Sequence, residues 1–239
     1  MFHSVHIQRY LTKNKIVQFF EDEGLYFRRI DKFADKTEGM REYFGPNQKK
    51  ILEGINFLFK KEYPDAQDMS EEEGAKLALN VLEFDRQRTF IQSWFWDNKM
   101  SDYMWDEYAE RNRDGDCAIL VADRMRLSDC LLAAHSEMRM KPVDYVDSKL
   151  DKYDGVFPKL KEYKPENEFR LAVENICPKT NTNQKIVFKD DFGFILKLDL
   201  KDFISGVIIP FNASKQFEDI INQKLKDIKS ECSCLRLKE

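Results

Sequence analysis

Alternation and helical spacing divide the chain into strands and helices interleaved without a regular strand–helix repeat. Residues 5–11 alternate, with Val5, Ile7 and Arg9 on one side and His6, Gln8 and Tyr10 on the other, and predict a strand. A helix follows, capped by Thr12 or Asn14, with Ile16, Val17, Phe19 and Phe20 as its apolar face and Gly24 closing it. Residues 25–30 read as a second strand leading into a polar turn over 31–39. Ile51, Ile55, Leu58 and Phe59 recur at helical spacing within 48–61, and Ser70 with Glu73 forms a capping box for the next helix.

Residues 90–122 carry the strongest pattern: a strand over FIQSW, a helix with Met104, Trp105 and Tyr108 on one face, and a second strand over GDCAILVA. Trp105 is expected in the core, with the Tyr108 hydroxyl turned toward a cleft. Further on, the pattern predicts a helix over 126–137, a strand over 142–147 and a helix over 157–163. Strands over 169–173, 192–198 and 206–209 precede a last helix over 214–228. The expected fold class is α+β, one domain over 1–239 with a mixed or split central sheet, flanking helices and a helical insertion at about 46–85.

Composition narrows this little. Hydrophobic residues make up 42% and the net charge is −4, so the chain can bury a core and its overall field selects no nucleic-acid partner. No run reaches the ~20 apolar residues of a membrane span, and the first residues lack a secretory pattern. Five scattered cysteines point to a reducing, cytoplasmic setting; Cys232 and Cys234 alone make a weak metal pair.

The candidate chemistry sits at strand ends. Glu166, Glu168 and Arg170 alternate onto one side of a strand start, where neighbouring carboxylates and an arginine tune one another. The same three residues also suit a surface Glu–Arg ladder of little energetic value. Ser93 ends the FIQSW strand without a G-x-S-x-G setting, which suits a ligand-binding hydroxyl better than a nucleophile. Asp35 and Glu38 with Gly39 form an acidic turn. Together with Glu166 and Glu168 they could supply oxygen ligands to a cation, or simply satisfy the turn backbone.

Six segments in order resemble a widespread bacterial domain family of unknown function: Arg9-Tyr10, the turn from Asp35 to Gly39, Ser93-Trp94, Met104 to Tyr108, Gly115 to Ile119, and Glu166 to Arg170. Gln8 stands where an aromatic is common in that family. The Asp116-Cys117 pair lengthens the glycine-led strand by one residue. More distantly, the order Arg, Ser, E-x-E is similar to the arginine-serine-glutamate ADP-ribosyltransferases, although Ser93-Trp94-Phe95 replaces their S-T-S.

That resemblance implies NAD as substrate, no metal, and an unknown acceptor, protein or nucleic acid. By position, Arg9 would contact the phosphate, Ser93 would order the nicotinamide ribose, and Glu168 would stabilise the oxocarbenium-like transition state. Glu166 would act on the acceptor, and Tyr10, Trp94 or Trp96 would stack on nicotinamide. The implied setting is a bacterial toxin or anti-phage effector with a regulatory partner protein and no membrane. Two other readings stand beside it. One is a metal-dependent nuclease using Asp35, Glu38, Glu166 and Glu168; the other is a non-catalytic ligand- or partner-binding domain.

Overall fold

The computed structural model describes residues 6–35, 38–39, 53–54, 56–57, 60–64, 69–109, 115–147 and 156–238. The alternating segment β1 (His6–Thr12) pairs antiparallel along its full length with β4 (Cys117–Asp123), from His6 opposite Asp123 to Thr12 opposite Cys117. Helix α1 (Lys13–Asp22) then turns the chain into β2 (Gly24–Arg29). Helix α2 (Glu71–Gln87) starts at the Ser70–Glu73 capping box and delivers β3 (Phe90–Phe95). Helix α3 (Asp102–Tyr108) lies between β3 and β4, and α4 (Arg124–Ala134) follows β4 directly, with Asp123 accepting from the Met125 and Arg126 amides. The later strands are β5 (Arg139–Pro142), β6 (Asp144–Val146), β7 (Pro158–Leu160), β8 (Glu168–Val173), β9 (Ile186–Asp190), β10 (Gly193–Lys197) and β11 (Ile204–Ile209). Helix α5 (Lys215–Asp227) and β12 (Cys234–Arg236) complete an α+β fold.

Among the described residues ten strands form one mixed sheet, and β6 and β7 form a small parallel pair of their own. The sheet forks at β3. One edge of β3 pairs continuously with β8, from Phe90 opposite Val173 to Phe95 opposite Glu168. Its other edge is shared: Phe90 and Ile91 pair with β2, whereas Phe95 meets Gln8 of β1. Among the described residues, 92–94 have no strand neighbour on that side, so β1 and β2 splay apart there and leave an opening across the sheet.

The core follows the alternation. Ile7, Leu11, Trp94 and Phe169 join Ile16, Phe19, Leu127 and Phe217 on the face covered by α1, α4 and α5. The opposite face carries two smaller clusters: Tyr10, Phe95, Met104 and Trp105, and separately Ile30, Ile91, Phe157 and Ala172. Burying a large apolar side chain contributes about 1.5–3 kcal/mol, so both faces anchor the strands that border the fork.

Several expectations are corrected. Residues 157–163 are not a helix but β7 followed by a 3-10 turn over Lys161–Glu166, since Pro158 and Pro165 leave too short a stretch for α-helical bonding. The single strand expected over 142–147 is divided: Pro142 ends β5 in the main sheet, Val143 donates its amide to Glu168, and β6 joins the small sheet. Glu23, in the left-handed region at φ 45°, closes α1 in place of Gly24. Gly24 serves close approach instead, because a Cβ there would lie 2.3 Å from the Leu196 carbonyl oxygen. Strands β9 and β12 had no expectation. Of the helix expected over 48–61, residues 53–54, 56–57 and 60–61 are helical; Ile51, Ile55, Leu58 and Phe59 lie outside the described residues.

Candidate functional site

The β3–β8 register fixes the site. Ser93 lies opposite Arg170 and Phe95 opposite Glu168, and antiparallel partners point to the same side. Ser93, Glu168 and Arg170 therefore occupy the seam between the two smaller apolar clusters, with Phe95 on one flank and Ile91 on the other. Glu168 is 3% exposed and Arg170 1%, so the surface Glu–Arg ladder is ruled out: these charges are buried.

Buried charges require partners, and each finds them. Glu168 Oε1 accepts from the Ser93 hydroxyl and from Arg170 Nε at 2.6 Å; Oε2 accepts from Arg170 Nη2 at 3.1 Å and Lys159 Nζ at 3.0 Å. Arg170 Nη1 donates to Glu38 Oε1 at 2.6 Å and to the Val156 carbonyl at 2.5 Å. Lys159 Nζ also donates to Glu166 Oε2 at 2.5 Å. Burial by itself would raise the Glu168 carboxyl. The charges of Arg170 and Lys159, with hydrogen bonds from Arg170 and Ser93, outweigh it and hold the group at about 2. Glu168 is a fixed, ionised carboxylate.

A cavity of about 950 Å³ opens where β1, β2 and β3 diverge. Ligand pockets commonly span about 300–1,000 Å³, and this cavity lies within that range. Arg9, Tyr10, Ser93, Trp94, Glu166 and Glu168 all line it, as do Glu38, Lys159 and Arg170. Asp35 is not part of this wall. Its backbone carbonyl accepts from the Glu38 amide, so it shapes the turn that presents Glu38 to Arg170.

Beside α1 the cavity wall carries charges of both signs, Arg9, Lys15 and Lys189 with Asp22 and Asp190. Arg9 shares its side of β1 with Ile7 and Leu11, across the sheet from Ser93, and reaches the cavity through the fork. Arg9 and Lys15 of α1 have no hydrogen-bond or ion-pair partner among the described residues. Burial alone lowers the Arg9 guanidinium to about 10. An unpaired, partly desolvated cation facing a cavity is a receptor for an anion.

Of the three expected stacking residues, Tyr10 and Trp94 line the cavity and Trp96 does not. Tyr10 is buried, with its hydroxyl donating to Gln8 at 2.9 Å and accepting from the Ser101 amide at 2.8 Å. Its ring packs edge-on against Phe95 and Trp105. Trp94 is a wall residue in the main core; its indole N–H donates to Gln92 Oε1 at 2.7 Å, and Gln92 Nε2 has no partner among the described residues. Trp96 packs edge-on against Phe169. Trp105 is core, and burial, with the nearby charge of Glu166, raises the Tyr108 hydroxyl at the cavity.

Sequence reasoning overlooked Lys159 and the pairing of Glu38 with Arg170. Lys159 lies in three residues of strand bounded by a proline and a 3-10 turn, too short for a periodic signal. Glu38 and Arg170 lie 132 residues apart. The acidic turn and the E-x-E run do meet, but through a guanidinium. Among the described residues no three His, Cys, Asp or Glu side chains are arranged around one metal position, and no helix there is long and apolar enough to cross a membrane. No family model matches this chain, nor does any curated protein or solved structure.

Proposed function

We propose that the cavity at the fork binds NAD and that the chain is an NAD-dependent ADP-ribosyltransferase-like enzyme. One observation carries this reading: Arg9, whose guanidinium has no partner among the described residues, and the ionised Glu168 carboxylate, bonded to Ser93, line one cavity from opposite faces of the sheet. NAD has the complementary charge order, an anionic pyrophosphate and a cationic pyridinium joined through ribose. Arg9 takes the pyrophosphate, with Lys15 nearby on α1. Glu168 faces the nicotinamide ribose.

The reaction breaks the bond between ribose C1′ and the nicotinamide nitrogen. The electron pair leaves with nicotinamide, which departs neutral, and positive charge develops on the ribose. A preorganised carboxylate stabilises that charge. The acceptor, a group on protein or nucleic acid, or water, then bonds C1′ and loses its proton; Glu166 lies within the same cavity to receive it. A bacterial toxin or anti-phage effector acting in the cytoplasm, held in check by a partner protein, is the setting this proposal carries with it.

A second reading is favoured by one specific feature. Every acceptor position of Glu168 is already filled, as expected of a non-catalytic domain that kept its scaffold and uses the carboxylate for stability. Incubating the purified protein with labelled NAD and cell lysate, beside Glu168→Gln, separates the two. The enzyme reading expects nicotinamide release that falls at least ~100-fold in the variant, with the label identifying the acceptor. NAD binding without release supports the binding domain, and neither binding nor release removes NAD altogether.

A further inference from the structure

Glu168 has four bonds to protein, and they are not equivalent. Three come from Ser93 and Arg170, neighbours in the β3–β8 register and held by the main sheet. The fourth comes from Lys159 in β7, which belongs to the separate small sheet. Lys159 Nζ is closer to Glu166 Oε2, at 2.5 Å, than to Glu168 Oε2, at 3.0 Å, and lies 4.8 Å from the centre of the Tyr163 ring. A short swing of its flexible stem leaves the ammonium on Glu166 beside that ring and frees Glu168 Oε2.

We propose that Lys159 is a latch on the acidic end of the cavity, covering the Glu168 oxygen that a ligand hydroxyl must reach and moving fully onto Glu166 when the ligand enters. The inference rests on the NAD reading of the cavity. It resolves the tension in that reading, because the filled acceptor positions become a closed resting state. Electrostatics point the same way. Arg170 divides its charge between Glu168 and Glu38, so it orients Glu168 while neutralising it only in part. Lys159 adds a second cation directly beside Oε2, where it opposes positive charge developing on a ribose. Three carboxylates, Glu38, Glu166 and Glu168, then face two cations. Moving the ammonium away from Glu168 sharpens the negative field where the transition state needs it.

The latch reduces apparent affinity by the fraction of time it is open. Titration calorimetry with NAD and with ADP-ribose, and nicotinamide release, test it on the full chain. The proteins compared are wild type, Lys159→Met, Lys159→Arg, and the double variant Lys159→Met/Glu166→Gln. The double variant removes the buried carboxylate that the single change strands, so it stays folded if the single one does not. If the latch is open about one-tenth of the time, Lys159→Met and the double variant bind both molecules about tenfold more tightly, and Lys159→Met, which keeps Glu166, releases nicotinamide faster. Lys159→Arg keeps the wild-type affinity. A structural role for Lys159 would never tighten binding. Unchanged or weaker binding in the folded variants, alongside wild-type protein that binds NAD, overturns the latch and leaves the NAD reading intact. Absence of binding in wild type and variants alike overturns the NAD reading and the latch with it.

Discussion

The two ends of the cavity use charge in opposite ways. At the β8 end, Glu168, Arg170, Lys159, Glu166 and Glu38 satisfy one another, and the buried charges are held by bonds of 2.5–3.1 Å. At the α1 end, Arg9 and Lys15 stand without partners among the described residues. Paired charges mainly hold the fold in one arrangement, since removing one partner strands the other in low dielectric. A desolvated charge without a partner opposes folding and keeps its full interaction for a ligand. The contrast teaches that burial and perturbed ionisation do not by themselves mark a binding group; what distinguishes Arg9 is perturbation without a partner.

Breaking the paired end should give the largest effect. Arg170→Met leaves Glu168 and Glu38 buried without their shared cation and should cost about 3–5 kcal/mol in denaturant unfolding. A cost below about 1 kcal/mol would show that the cluster tolerates the loss and would erase the contrast.

Acid should weaken the same end next. Glu168 is depressed from 4.5 to about 2 in the folded protein. Its contribution is therefore complete above pH 4.5 and is lost as pH falls toward 2, a difference on the order of 3 kcal/mol. Stability measured across that window should fall steeply in wild type and less in Glu168→Gln. Parallel curves would assign the acid sensitivity to other carboxylates.

The unpaired end should respond in the opposite sense. Arg9→Gln should leave the protein at least as stable as wild type, because no bond is removed and the desolvation of the charge is relieved. A charge-assisted hydrogen bond contributes about 1.5–3 kcal/mol, so NAD affinity should fall roughly ten- to a hundredfold. Marked destabilisation with unchanged affinity would reverse the roles of the two ends.

Local pattern made much of this legible. The alternation in FIQSWF and EFRLAV marks β3 and β8 and places Glu168 and Arg170 on one side. The Ser70–Glu73 pair marks the start of α2 through a bond spanning three residues. Short segments were illegible for an equally local reason: β7 and β12 have three residues each, below any period that strand or helix reasoning can detect. Exposure was illegible too. E-x-E-x-R reads the same on a surface as in a core, and the surface ladder was excluded only when Glu168 and Arg170 proved to be buried.

The sequence by itself determined the α+β class, the main elements and the side of each strand on which Ser93, Glu168 and Arg170 stand, because these depend on periods of a few residues. Only the tertiary structure decided that Ser93 meets a carboxylate 75 residues away, that Glu38 shares its arginine, and that Lys159 covers Glu168. It also decided that Arg9 is left unpaired. Each of these turns on strand register and on the fork between β1 and β2, where packing over long sequence separations places charges and no local pattern records which of them find a partner.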